Sequence, residues 1–316
     1  MTGRVVSTAS LLIDLPISVA ALPERGGDAL GVAAGPTAGG GFNIVAAAAR
    51  QGAEVALLSP LGTGSNGRLG RDALDQEGVA HIGRVDADAD TGFCVTLIEA
   101  DGERTFVTVP GAEAEVGPAD LPPGITASGD IIFVSGYDLC YPGSGPALAD
   151  WVSRLATDLL VVFDPGPLVA EIPAALLDQV LRRCDLCTLN EREAALLWGI
   201  DLGDDPAAAA VAQIDRLHAR LRPGTTVLLR VGARGCLVIG RSVTAVPSVE
   251  VDMVDATGAG DAHAGVFMAR LLAGDEVAAA VYAANIAAAL TVTRRGPATS
   301  PTRRELADEI ARVPEV

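Results

Sequence analysis

The stretch DATGAGDAHAG, Asp255 to Gly265, sets Gly258, Ala259 and Gly260 directly ahead of Asp261 and an apolar run. It follows SVEVDMV, whose alternation reads as a strand, so the local form is strand, bare turn, helix. Small residues at a helix start leave unpaired N–H groups free to face an anion, and the helix dipole adds to the attraction. A phosphate fits there. Asp261 then places a carboxylate beside the phosphate, which is unfavourable unless it takes a proton from an attacking hydroxyl. Its other reading is a helix-capping residue, and spacing alone does not separate the two.

Outward from this turn, apolar β-rich runs alternate with Ala-rich helical stretches. EVALLS precedes RLGRDALDQEG, DIIFVSG precedes GPALADWVSRLA, LLVVFDPGP precedes PAALLDQVLRR, and DLCTLN precedes EREAALLWG. TTVLLRVG, CLVIG and a pair of helices from about Ala262 to Thr293 follow. Strands that are continuously apolar are buried on both faces, so the sequence predicts an α/β doubly wound, mainly parallel sheet flanked by helices. TGFCVTLIEADGERTFVTVPG breaks the rhythm: two alternating runs flank Asp101-Gly102, which predicts a hairpin at about Phe93 to Val109. Residues 1–316 are expected to form one domain, with a small β-sheet lid built from about 10–36 and 92–111.

A formal charge of −17 repels nucleic acid and anionic membranes, and no Lys/Arg run offsets it. The N-terminus lacks a basic region followed by a sustained apolar core, and no run of about 18 uncharged apolar residues occurs, so a cytoplasmic location without membrane insertion is expected. Five scattered cysteines, with one CxxC at Cys184 and Cys187, do not form a disulfide framework and read as buried thiols. His81, His218 and His263 have no ligand spacing.

A second glycine cluster, TAGGGFNIVAAAARQG (Thr37 to Gly52), lets a small polar ligand touch backbone at Gly39 and Gly40, while Asn43 offers both a donor and an acceptor. A third, Gly62 to Gly67, spells GxGxxG with Asp86 downstream, so a NAD-binding oxidoreductase is an alternative. No GxxxxGK[ST] is present, which excludes a P-loop.

Taken together, AGGGFN, DATGAGD, the NxxE at Asn190 to Glu193, DPGP at Asp164 to Pro167, RVGARG at Arg230 to Gly235 and TVTRRGPATS at Thr291 to Ser300 resemble the ribokinase-like (PfkB) carbohydrate kinases over nearly the whole chain. The resemblance implies an ATP- and Mg2+-dependent sugar kinase in which Asp261 is the general base and the amides of Gly258, Ala259 and Gly260 hold the transferring phosphoryl group. It places Asp14, Gly39, Gly40 and Asn43 at the sugar, with Tyr137 where a sugar-binding glutamate would stand. Asn190, Glu193, Arg230, Gly232, Gly235 and Asn285 fall at the nucleotide, Glu193 reaching Mg2+ through water. A potassium ion is implied at Asp255, Thr257, Thr291, Arg294, Gly296 and Ser300, and a homodimer through the lid. Leu12 and Tyr137 make the implied sugar pocket less polar, which keeps a nucleoside kinase open; a non-catalytic sugar-binding protein is the remaining alternative.

Overall fold

A computed structural model describes residues 3–312. In chain order its first elements are β1 (Val5–Ser7), β2 (Leu11–Ser18), β3 (Val32–Ala33), β4 (Thr37–Gly40), α1 (Gly41–Arg50), β5 (Val55–Leu57), β6 (Leu61–Gly62), α2 (Ser65–Glu77), β7 (Ala80–His81), β8 (Val85–Asp86), β9 (Phe93–Ile98) and β10 (Arg104–Val109). There follow β11 (Ile131–Ser135), α3 (Gly136–Cys140), α4 (Ser144–Ser153), β12 (Leu160–Asp164), α5 (Ala174–Leu181), β13 (Leu186–Asn190), α6 (Glu191–Trp198), α7 (Pro206–Ala212), α8 (Ile214–His218), β14 (Thr226–Arg230), β15 (Cys236–Ile239), β16 (Val243–Val246), α9 (Ala259–Leu272), α10 (Val277–Val292) and α11 (Arg303–Ile310).

Nine strands form one sheet in the order β16-β15-β14-β13-β12-β11-β1-β5-β7, parallel from β7 to β14 and antiparallel at β14–β15 and β15–β16. The continuous apolar runs explain this. Side chains alternate between faces along a strand, and β11 sends Ile132 and Val134 into one buried cluster and Ile131 and Phe133 into the other. Both faces are therefore covered by helices, as a doubly wound sheet requires. The order reverses between β1 and β11, and in such sheets the crevice at the carboxyl ends beside that switch is where ligands bind.

A five-stranded sheet lies apart, ordered β10-β9-β2-β3 with β4 on β2. The predicted hairpin is its β9–β10 pair, from Phe93 opposite Val109 to Ile98 opposite Arg104, and Gly102 turns the chain at φ +90°. β4 was not legible as a strand, because glycines carry no β propensity; it is held by register with β2, Leu12 facing Gly39 and Asp14 facing Thr37.

Two expectations are corrected. SVEVDMV is not a strand: β16 ends at Val246, and the N–H groups of Val254 and Asp255 both turn to the Val292 carbonyl. The GxGxxG at Gly62 to Gly67 is not a dinucleotide cradle. The Asp90 carboxylate accepts the N–H groups of Asn66 and Gly67, filling the start of α2 where a pyrophosphate would sit, and Asp86 is spent on Arg84 and the Asp88 and Ala89 N–H groups.

Candidate active site

The carboxyl ends of four neighbouring strands deliver polar side chains to the crevice: Tyr137 just past β11, Asp164 ending β12, Asn190 ending β13 and Arg230 ending β14. Their register is set by the parallel ladder, which pairs Ser135 with Asp164 and Asn190 with Arg230. The arrangement follows from where each apolar run stops.

Two helices bring the glycine clusters together. α1 begins at Gly41, after Gly40 at φ +59°, and carries Asn43 in its first turn; α9 begins after Gly258 and carries Asp261 in its first turn. The helices cross closely because Gly265 has no side chain: a Cβ there would lie 2.4 Å from the Ile44 carbonyl oxygen. Asn43 Nδ2 consequently donates to Asp261 Oδ2 at 2.9 Å, across 218 residues of sequence. The other amide atom, Asn43 Oδ1, is buried and accepts no hydrogen bond among the described residues. A buried carbonyl without a donor is costly, so it is an acceptor waiting for a ligand hydroxyl or amine.

Asp14 stands on the same side. A Cβ at Gly39 would fall 2.0 Å from Asp14 Oδ2, so only glycine leaves room for this carboxylate. Burial and the nearby Asp261 charge raise Asp14 to about 6. Asp261 is also raised to about 6, by burial above all; the Asn43 hydrogen bond and Arg230 oppose that rise and Asp164 adds to it. Tyr137, 45% exposed overall, sets its ring 3.5 Å from where a Cβ at Gly166 would lie, and partial burial of its phenol together with Asp261 pushes it to about 12.

At the start of α9, Gly258 adopts φ +77° and sits against Pro297, whose carbonyl oxygen would be 1.9 Å from a Cβ. Among the described residues, the N–H groups of Gly258 and Gly260 find no backbone acceptor, whereas that of Ala259 already bonds the Ala256 carbonyl at 3.4 Å, and a Cβ on Gly260 would lie 3.8 Å from the Arg230 guanidinium. This is an open set of donors at a helix N-terminus, with Asp261 one residue on.

On the opposite flank Asn190 and Glu193 form a reciprocal capping box: Asn190 Oδ1 accepts the Glu193 N–H at 2.9 Å, and Glu193 accepts both the N–H and Nδ2 of Asn190. Arg230 joins Asp164 at 3.0 Å, Thr188 Oγ1 at 2.7 Å and Glu193 at 3.5 Å. Gly232 (φ +59°) and Gly235 (φ +94°) turn the chain between β14 and β15. Asn285 is placed differently from expectation: its amide donates to the carbonyls of Val246 and Pro247, a buried strut that leaves no donor for a base. Asp164 was noted in the sequence only as the start of the DPGP motif, with no site role, and Thr188 was not singled out, since only the strand register brings them to Arg230.

The residues read as a cation site do cluster. Asp255 accepts the N–H groups of Thr257 at 2.8 Å and Gly296 at 3.0 Å; the Thr291 and Gly296 carbonyls both accept from Thr299 Oγ1; Arg294 reaches the Thr299 carbonyl; and Ser300 Oγ is buried without a partner. Asp255 also bears a side-chain cation, Arg104 from β10, at 2.6 Å. The histidines are no ligand set. His81 and His218 bond backbone carbonyls, and His263 is buried. All five cysteines are free.

A doubly wound sheet with a small second sheet, and two glycine turns meeting at Asn43 and Asp261 beside its carboxyl ends, define a ribokinase-like α/β protein. The description "pfkB family carbohydrate kinase" matches residues 4–303. The uncharacterized sugar kinase YegV of Escherichia coli (strain K12) is 32% identical over 307 residues, 96% of this chain and 92% of that one, and the ribokinase of Haemophilus influenzae is 31% identical over 84% of this chain and 85% of its own. In fold, the ribokinase of Arabidopsis thaliana, solved with ribose and ATP, superposes with a TM-score of 0.79 at 22% identity, covering 98% of each chain. The chain belongs to the pfkB family of carbohydrate kinases and is a phosphotransferase with an alcohol group as acceptor. Among the described residues, no helix is long and apolar enough to cross a membrane.

Proposed function

We propose that this kinase transfers the γ-phosphate of MgATP to a hydroxyl of a sugar or sugar-like substrate held between Asp14, Gly39, Gly40 and Asn43, with Asp261 as general base. The observation that carries it is the Asn43–Asp261 contact with Asn43 Oδ1 left over: a substrate hydroxyl bonded there lies beside the carboxylate that is to deprotonate it. The substrate oxygen forms its bond to the γ-phosphorus, the bond from that phosphorus to the β,γ-bridging oxygen breaks, ADP leaves, and the proton passes to Asp261. A pKa near 6 leaves Asp261 ionised at neutral pH yet more basic than a free aspartate. The open N–H groups of Gly258 and Gly260 hold the charge on the transferring group, and Arg230 backs them.

Mg2+ supplies charge neutralisation of the phosphates. The residues fit an ion that arrives on the nucleotide: no group of three or more His, Cys, Asp or Glu converges among the described residues, and the Asn190–Glu193 pair is engaged with itself and reaches an ion through water. Gly232 and Gly235 shape the nucleotide turn. The small sheet serves as a lid that excludes water from the transfer, and its edge strand β10 pairs two copies: Phe106 and Val107, on opposite faces of that strand, are 58% and 54% exposed.

A nucleoside is favoured as a second substrate class by the Tyr137 ring lying open beside Gly166, a surface for a planar aglycone that a free pentose does not need. ADP release from MgATP across pentoses, ketohexoses, sugar acids and nucleosides tests both. One class is expected to respond and to fall silent in Asp261→Asn; silence of the wild type across the panel overturns the substrate assignment.

A further inference from the structure

Arg104 opens β10 on the small sheet, yet its guanidinium crosses to the loop ahead of α9, Nη2 donating to Asp255 Oδ1 at 2.6 Å over 151 residues of sequence. Both side chains are withdrawn from solvent, 22% and 13% exposed. Asp255 Oδ1 therefore holds two donors, Arg104 and the Thr257 N–H, and Oδ2 holds the Gly296 N–H. Burial opposes ionisation of Asp255, but the Gly296 and Thr257 N–H groups and Arg104 together outweigh it and leave the carboxyl below its ordinary value. It is an ionised acid already supplied with a cation.

The remaining oxygens do not complete a cage for a free ion. The Thr291 carbonyl accepts from Arg294 N at 3.1 Å and from the Thr299 hydroxyl, which the Gly296 carbonyl shares. Ser300 Oγ is buried without a partner and the Thr257 and Arg294 carbonyls accept no hydrogen bond among the described residues, but these three oxygens beside a carboxylate already held by Arg104 do not replace the hydration shell of an ion. A second cation at this carboxylate would also meet the guanidinium at close range.

We propose that Arg104 takes the place of a monovalent cation at Asp255, so that the loop bearing Gly258 to Gly260 is set by a side chain of the lid and the enzyme works without potassium. This rests on the kinase function proposed above. Arg104 is a positioning residue: it holds Asp255, Asp255 holds the N–H groups of Thr257 and Gly296, and Gly296 leads to Pro297, against which Gly258 is packed. A free ion would set that loop whatever the lid did. A tethered one sets it only while the small sheet is seated, which couples donor geometry to closure over the substrate.

The test compares wild type, Arg104→Gln and Arg104→Lys in potassium chloride and in tetramethylammonium chloride of equal ionic strength, reading the thermal midpoint of the free protein and ADP release with the best acceptor. Wild type is expected to give the same midpoint in both salts and turnover within about twofold, well below the coupling usual for an effector that sets a site. Arg104→Gln should lose about tenfold in tetramethylammonium and recover, with a higher midpoint, in potassium; Arg104→Lys should behave as wild type in both. A potassium-dependent rise in the wild-type midpoint or turnover overturns the proposal. So does an Arg104→Gln loss that potassium does not restore, or no loss at all. If no acceptor is phosphorylated, the substrate assignment fails, and the midpoints alone still decide whether potassium binds only when Arg104 is gone.

Discussion

Replacing Asp261 with asparagine should cripple the enzyme and stabilise it. The carboxyl rises from 3.8 to about 6 because burial penalises its charge more than Asn43 and Arg230 reward it. A group whose folded value lies above its unfolded one binds more protons in the native state, so stability is greatest below 3.8 and declines as pH rises through about 6. Two pH units correspond to about 3 kcal/mol, and residual solvent contact of the partly buried side chain reduces the gain to about 1–3 kcal/mol. Asparagine keeps an oxygen for the Asn43 amide and removes the charge, so at pH 7.5 the variant should melt about 2–6 °C higher. At pH 5 roughly half of the titration window is already crossed, and the gain should be about half as large. Turnover should fall by about 10²–10⁴, the range of a lost general base. Thermal unfolding at both pH values, with ADP release at pH 7.5, reads all three effects. A variant that is less stable at pH 7.5, equally stabilised at both pH values, or nearly as active as wild type refutes the assignment of a buried, charge-strained base.

Three other consequences can be measured. Asn43→Ala removes a charge-assisted hydrogen bond worth about 1.5–3 kcal/mol, so the acid limb of the kcat/KM profile, which reports the free enzyme, should move up from near pH 6 by about one unit or more; a limb that stays in place while kcat/KM falls would mean another group is titrating. Gly258→Ala places a Cβ on the Pro297 carbonyl at a positive φ and should cost about 3 kcal/mol in urea unfolding together with most of the turnover, whereas wild-type values would show that the turn does not need its left-handed conformation. Phe106→Glu on the exposed edge strand β10 should convert a dimer to a monomer in sedimentation at micromolar concentration; an unchanged sedimentation coefficient would remove this strand as the interface.

The main sheet was legible because each signal was local. IIFVS, LVVFD and TVLLR carry unbroken apolar runs of four, four and three residues, as a strand covered on both faces does, and Asp101-Gly102 between alternating runs fixes a hairpin without knowledge of anything distant. SVEVDMV failed for the complementary reason. Its alternation is as good as that of a real strand, but a ladder needs a neighbour, and Met253 and Val254 are instead 70% and 54% exposed in a loop directed by the end of α10. The glycines of β4 failed in the other direction, forming a strand because β2 offers its edge and Asp14 tolerates no side chain at Gly39.

The candidate site divides along the same line. Gly258 to Asp261 and Gly39 to Asn43 announce themselves because a bare turn before a helix is a local pattern, and the turns alone place donors and a carboxylate. What brings the two turns into contact is Gly265, a glycine in the middle of a helix whose only sequence signal is that helices disfavour glycine. The charge pairing was less legible still. Arg104 carries no motif and belongs to a hairpin that could have been seated anywhere; it finds Asp255 because β9 pairs in parallel with β2, which in turn holds β4 and the start of α1. Asp164 and Arg230 meet only through the register of β12, β13 and β14. In a chain of net charge −17, where acids are plentiful and each arginine near the crevice has a dedicated acid, the informative residues are the cations, and their partners are set by strand register rather than by spacing in sequence.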